Sequence, residues 1–194
     1  MTEKKLYIIS GCNGAGKTTA SFNILPDLLQ CKEFVNADEI ARGISPFQPE
    51  KVSIEAGRLM LRRIDELIVS GQDFSFETTL SSKSFLHTII NAKARGYYVT
   101  LIFFWLESVE LAKDRVLKRV SEGGHNIEES VIERRYKNGI VNLFNLYERH
   151  VDYLLIYDNS NANAQLIAEK EFSSEYQIHQ MVKFETIKSI CNEQ

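Results

Sequence analysis

The amino-acid sequence predicts a three-layer α/β/α sandwich around a mostly parallel, five-stranded sheet. Two observations carry that expectation. Short β-branched and aromatic runs alternate with helix-spaced apolar segments, and a glycine-rich turn joins the first strand to the first helix. Strand-helix-strand order implies right-handed parallel crossovers, and a sheet of this kind binds its ligands at the carboxyl ends of the strands.

The elements follow in order. Lys5 to Ser10 (KLYIIS) reads as the first strand and Lys17 to Leu29 as the first helix, with a second short strand at Glu33 to Asn36. Val52 to Ser70 carries apolar residues at helical spacing and is closed by Gly71, after which Asp73 to Thr78 is strand three. Ser84 to Arg95 reads as a helix ended by Gly96, and Tyr97 to Leu106 (YYVTLIFFWL) is apolar on both faces, as a central strand covered by helices should be. Ser108 caps a helix to about Ser121; Gly123-Gly124-His125-Asn126 breaks it, and helical spacing resumes over Ile127 to Arg149. That break predicts a hinged lid over about 120–135. Val151 to Tyr157 is the fifth strand, and 164–194 reads as a small hairpin over Gln165 to His179 followed by a terminal helix. With no repeat, linker or low-complexity tract, residues 1–194 read as a single domain.

Composition narrows the function classes. The 194 residues are 44% hydrophobic and 25% charged, ordinary for a globular chain with a sizeable core. A net charge of −3 argues against an extended nucleic-acid surface, which needs clustered Lys and Arg. The longest nearly uncharged apolar stretch is about half of a bilayer crossing, so no membrane partner is expected. Three widely spaced cysteines without a CxxC pair support neither a disulfide framework nor a zinc site, and with no cleavable-signal pattern the expected location is cytoplasmic.

Gly11-Cys12-Asn13-Gly14-Ala15-Gly16-Lys17-Thr18 matches GxxxxGK[ST] between a strand and a helix, which predicts a P-loop nucleoside triphosphate fold binding ATP with magnesium. Backbone N–H groups of Gly11, Asn13, Gly14, Ala15 and Gly16 through Thr19 would face the phosphates. Lys17 would reach the β and γ phosphates, and the Thr18 hydroxyl would ligate magnesium. Asn36-Ala37-Asp38-Glu39 follows strand two, where Asp38 could accept the proton of an attacking hydroxyl. The competing reading makes Asp38 the N-cap of a helix starting at Glu39. Glu77, at the end of strand three, could serve the metal through water or bind the acceptor; read structurally, it pairs with a nearby cation.

Arg115 and Arg119 precede the Gly-Gly break and Arg134 and Arg135 follow it. Planar guanidinium groups suit a transferring phosphoryl, and Arg119 and Arg135 are the favoured pair; interleaved acidic residues allow a solvated helix face instead. His125, with no second ligand at metal spacing, reads as a turn or lid residue.

With these residues assembled, the chain resembles the zeta-toxin family of P-loop kinases, including chromosomal relatives described as predicted ATPases. The likeness spans most of Leu6 to Ser160 and rests on GCNGAGKTT, NADEIA, FETTLSS, RVLKRVSEGGHNI, RRY and DNS in that order. It implies Lys17 and Thr18 at the phosphates, Asp38 as base, Glu77 and Thr78 near the acceptor, and Arg119 and Arg135 as lid arginines. Well-studied members phosphorylate the 3′-hydroxyl of UDP-N-acetylglucosamine and are restrained by a small helical antitoxin. A small hydroxyl acceptor such as a nucleotide sugar, and an antitoxin, are thus the partners the resemblance implies. The second function class is a nucleotide-driven ATPase or switch acting on a protein partner. Cys12 stands where relatives commonly have proline, and a thiol beside phosphates suggests sensitivity to oxidation.

Overall fold

The computed structural model describes residues 3–24, 29–124 and 126–192. In chain order the elements are β1 (Lys4–Gly11), α1 (Lys17–Ile24), β2 (Phe34–Val35), α2 (Ala37–Ile44), α3 (Ser53–Ser70), β3 (Phe74–Thr78), α4 (Phe85–Ala94), β4 (Tyr97–Trp105), α5 (Val109–Ser121), α6 (Glu129–Asn142), β5 (Tyr153–Asp158), β6 (Gln165–Glu171), β7 (Gln177–Ile178) and α7 (Met181–Asn192). The end of the expected first helix, 25–28, and His125 lie outside the described residues.

The α/β sandwich is as the sequence predicts, but the sheet has seven strands among the described residues, not five. Their order is β2-β3-β1-β4-β5-β6-β7. The first five run parallel; β6 pairs antiparallel with β5, and β7 with β6. The expected hairpin is present, yet instead of standing apart it extends the sheet edge. A free edge of β5 would leave a row of backbone donors and acceptors unpaired, and β6 satisfies them.

Period-two alternation sends β1 side chains to two cores. Leu6 and Ile8 join Phe74, Phe76, Val99 and Leu101 under α3, α4 and α7, while Tyr7 and Ile9 join Ile102, Phe104, Ala112 and Val116 under α5. Central β4 is buried on both faces along nearly its whole length, which is why its sequence shows no polar alternation. The register sets Ile9 beside Glu77 and Ser10 beside Thr78, so the ends of β1 and β3 deliver the glycine-rich loop and Glu77 to one place.

Two local devices shape that end of the sheet. Gly139 on α6 lies so close to the loop after β3 that a Cβ there would come within 2.8 Å of the Thr79 carbonyl, so α6 can cross directly over that loop. In the same loop buried Leu80 holds φ at 58°, a strained conformation for a non-glycine residue. It is pinned by its N–H donating to Thr78 Oγ1 (3.0 Å) and its carbonyl accepting from Asn142 Nδ2 (2.8 Å). No described helix is long and apolar enough to cross a membrane.

Candidate active site

The glycine-rich loop turns from β1 into α1 with Gly11, Gly14 and Gly16 at positive φ. At Gly16 the need is steric as well: a Cβ would sit 2.5 Å from the Asn159 amide nitrogen, which donates to the Ala15 carbonyl at 2.7 Å. Asn13, Gly14, Gly16, Lys17, Thr18 and Thr19 line a cavity of about 270 Å³, together with Asp38, Glu39, Arg42, Glu77, Arg115 and Arg119. Gly11 and Ala15 are buried beneath it and shape the loop without lining it.

Glu77 is the hub of this cavity. One carboxylate oxygen accepts from the Thr18 hydroxyl (2.7 Å) and from Asn36 Nδ2 (2.9 Å), and the other lies 3.5 Å from the Lys17 ammonium. Lys17, 6% exposed, also donates to the Cys12 carbonyl at 2.9 Å. The pairing of Glu77 with a cation therefore exists, and its partner is the P-loop lysine itself. The Thr18 hydroxyl and the Glu77 carboxylate are oxygen donors of the kind that suits a hard cation such as magnesium.

The competing reading of Asp38 is overturned. Helix α2 starts at Ala37, and its N-cap is Asn36, whose Oδ1 accepts from the N–H of Asp38 (2.8 Å) and Glu39 (3.4 Å). Asp38 stands in the first turn with an exposed carboxylate that makes no hydrogen bond or ion pair among the described residues. Asn36 thus has two tasks that sequence reasoning missed: its oxygen starts the helix bearing Asp38, and its amide holds Glu77.

A second cavity, of about 400 Å³, adjoins the first and shares Asn13, Lys17, Asp38 and Glu77 with it. Its remaining lining comes from Asn36 and Ala37, from α3 (Ile54, Gly57, Arg58, Met60, Leu61), from Thr78, Thr79, Ser84 and Phe85, and from Arg135 on α6. The two favoured arginines are therefore divided between the cavities. Arg119 lines the first, and its Nε and Nη2 are buried without a hydrogen-bond partner among the described residues. Leaving such donors unpaired is costly, so they are open to a negatively charged partner. Arg135 lines the second and donates to Asn13 Oδ1 at 3.0 Å; burial lowers its guanidinium pKa, against the opposing pull of Asp38.

The other two arginines are placed differently, although Arg115 also lines the first cavity. Arg134 is exposed, and Arg115 donates to the carbonyls of Asn159 (2.8 Å) and Ser160 (2.7 Å), clamping the segment after β5. Cys12 contradicts the suggestion of an oxidation-sensitive thiol. It is 5% exposed, and burial pushes its pKa up to about 11 despite Lys17, so the reactive thiolate is scarce at neutral pH.

The model of the family described as Zeta toxin matches residues 2–171. A protein of Haemophilus influenzae, described only as uncharacterized, is 35% identical over 144 residues, which is 70% of this chain and all of that one. Among solved structures, the AvrRxo1-ORF1:-ORF2 complex with ATP superposes with a TM-score of 0.76 at 19% identity, covering 97% of this chain and 64% of that one. A structure from the PezAT chromosomal toxin-antitoxin system of Streptococcus pneumoniae superposes at 0.68 with 17% identity, covering all of this chain and 88% of that one. At these identities the superpositions establish a shared P-loop kinase fold, and this chain spans about two thirds of the AvrRxo1 chain.

Proposed function

The chain belongs to the zeta toxin family, and on that premise we propose that it is an ATP-dependent kinase moving the γ-phosphoryl group to the hydroxyl of a small acceptor, with a nucleotide sugar as the candidate class. The observation that carries this reading is the pair of adjoining cavities meeting at Lys17, Asp38 and Glu77. An ATPase needs one site and water; a kinase needs two sites that meet at the transferred group.

In this reading the loop amides and Lys17 hold the β and γ phosphates. Thr18, with Glu77 through water, would hold magnesium, which when bound supplies positive charge across the phosphates. Asp38 orients the acceptor hydroxyl and takes its proton as the new oxygen–phosphorus bond forms and the bond to the β-phosphate oxygen breaks, yielding ADP and a phosphoester. Arg119 meets the charge on the transferring group, and Arg135, steadied by Asn13, closes the acceptor side. By the same family membership, an antitoxin is the candidate protein partner.

The test is to incubate the purified chain with γ-labelled ATP, magnesium and a metabolite extract. Label is expected in a small phosphorylated product, with Asp38→Asn still binding nucleotide but transferring about 10³-fold more slowly. Release of free phosphate alone, at a rate no extract component changes, would reject the kinase in favour of an ATPase.

A further inference from the structure

Helix α7 lies beyond the family match at residue 171, yet it reaches Asp158, next to the residue that bonds the P-loop. Its Lys183 donates to Asp158 Oδ2 at 2.6 Å. Asp158, 3% exposed at the end of β5, accepts at its other oxygen from the N–H (2.8 Å) and hydroxyl (2.5 Å) of Ser160. Between them Asn159 donates to the Ala15 carbonyl inside the P-loop, and its amide packs against Gly16. The segment is closed from the other side by Arg115 on the Asn159 and Ser160 carbonyls, and by the Glu107 N–H donating to the Ser160 hydroxyl at 2.9 Å.

We propose that Lys183 is a positioning residue for the nucleotide site, acting through Asp158 and Asn159 on the main chain of residues 15 and 16. The inference rests on the reading of the P-loop as a triphosphate cradle. Its physical basis is that a buried carboxylate must be paired. Burial works against the charge on Asp158, and the Lys183 ammonium with the two Ser160 donors holds its carboxyl below the ordinary range. Without the ammonium, the carboxylate must turn toward solvent or take up a proton. Either change releases the Ser160 turn that sets the angle of Asn159, and with it the carbonyl of Ala15. The loop amides then no longer converge on the phosphates.

The experiment measures binding of magnesium and a non-hydrolysable ATP analogue by calorimetry, alongside Tm. Lys183→Met should weaken binding about ten-fold, the low end of what losing a supporting partner costs a site, and Lys183→Arg should restore most of it. Lys188→Met is the control. That residue is on the same helix, with its ammonium 3.9 Å from the Phe144 ring centroid and no hydrogen bond to Asp158, so its loss should lower Tm and leave the analogue's Kd within about two-fold. If Lys183→Met does not fold, Lys183→Gln replaces it, with the same criteria. Wild-type affinity in the Lys183 variant, or equal weakening by Lys188→Met, overturns the inference. A wild-type chain that binds no analogue at all instead overturns the underlying kinase reading.

Discussion

The two cavities on either side of Lys17 are built in opposite ways. The side proposed for the nucleotide takes half of its lining from one short stretch, Asn13, Gly14 and Gly16 to Thr19, which brings main-chain amides and the Lys17 charge, and the other half from charged side chains of α2, β3 and α5. The side proposed for the acceptor gathers side chains from α3, the loop after β3, α4 and α6, separated by up to about eighty residues, and mixes an apolar wall of Ile54, Met60, Leu61 and Phe85 with the hydroxyls of Thr78, Thr79 and Ser84. Phosphate is the same in every nucleotide and can be met by a fixed backbone shape; an acceptor differs between proteins and must be met by side chains that can be exchanged.

That contrast can be broken or sharpened experimentally. The largest effect is expected at Arg119, whose Nε and Nη2 have no hydrogen-bond partner among the described residues: Arg119→Ala should lower turnover about 10³-fold or more while changing analogue affinity far less, and a loss under ten-fold would remove it from the chemistry. Next comes Glu77, which ties Lys17, Thr18 and Asn36 together. Glu77→Gln should raise the magnesium concentration for half-maximal activity by about 10- to 100-fold, and an unchanged magnesium titration would count against its metal role. On the acceptor side, Leu61→Ala should raise KM for the acceptor found in the extract by about ten-fold and leave KM for ATP as it was. Equal changes in both constants would mean that the cavities are not functionally separate.

The smallest effect is expected at Cys12. Lys17 bonds to its carbonyl, not its thiol, so Cys12→Ala should leave nucleotide affinity within about two-fold. The thiol's raised pKa also sets a pH dependence. Because the folded chain holds the proton more tightly than the unfolded one, the stabilisation from the neutral thiol is complete below the ordinary thiol pKa of about 8.5 and fades as pH rises toward about 11. At pH 8 roughly one Cys12 in a thousand is thiolate, so alkylation by iodoacetamide should be slow until the chain is denatured. Rapid labelling of the native protein at pH 8 would contradict the burial.

Asp38 and Asn36 show where reading the sequence stopped short. Both residue types cap helices well, and nothing local separates a cap at 36 from one at 38. The choice falls to Asn36 because its amide nitrogen is also needed by Glu77, forty-one positions away. Arg115 and Arg119 were equally suited to phosphate by spacing; both line the first cavity, but Arg115 spends its guanidinium on the Asn159 and Ser160 carbonyls while Arg119 Nε and Nη2 find no partner among the described residues. Lys183 carried no signal: it lies outside the motifs of the likeness, and nothing local ties it to the DNS segment that holds its partner Asp158.

By itself the sequence determined the strand-loop-helix that forms the P-loop, the order of the elements and the central place of the fourth strand, because each depends on local periodicity, glycine conformation or a capping side chain. The tertiary structure alone decided that β6 and β7 extend the sheet, that Asn36 caps α2, which arginine lines which cavity, and that Lys183 of α7 pairs with Asp158. Those outcomes turn on which buried donors and acceptors find partners across distant segments, and such pairings come into being only when the layers pack.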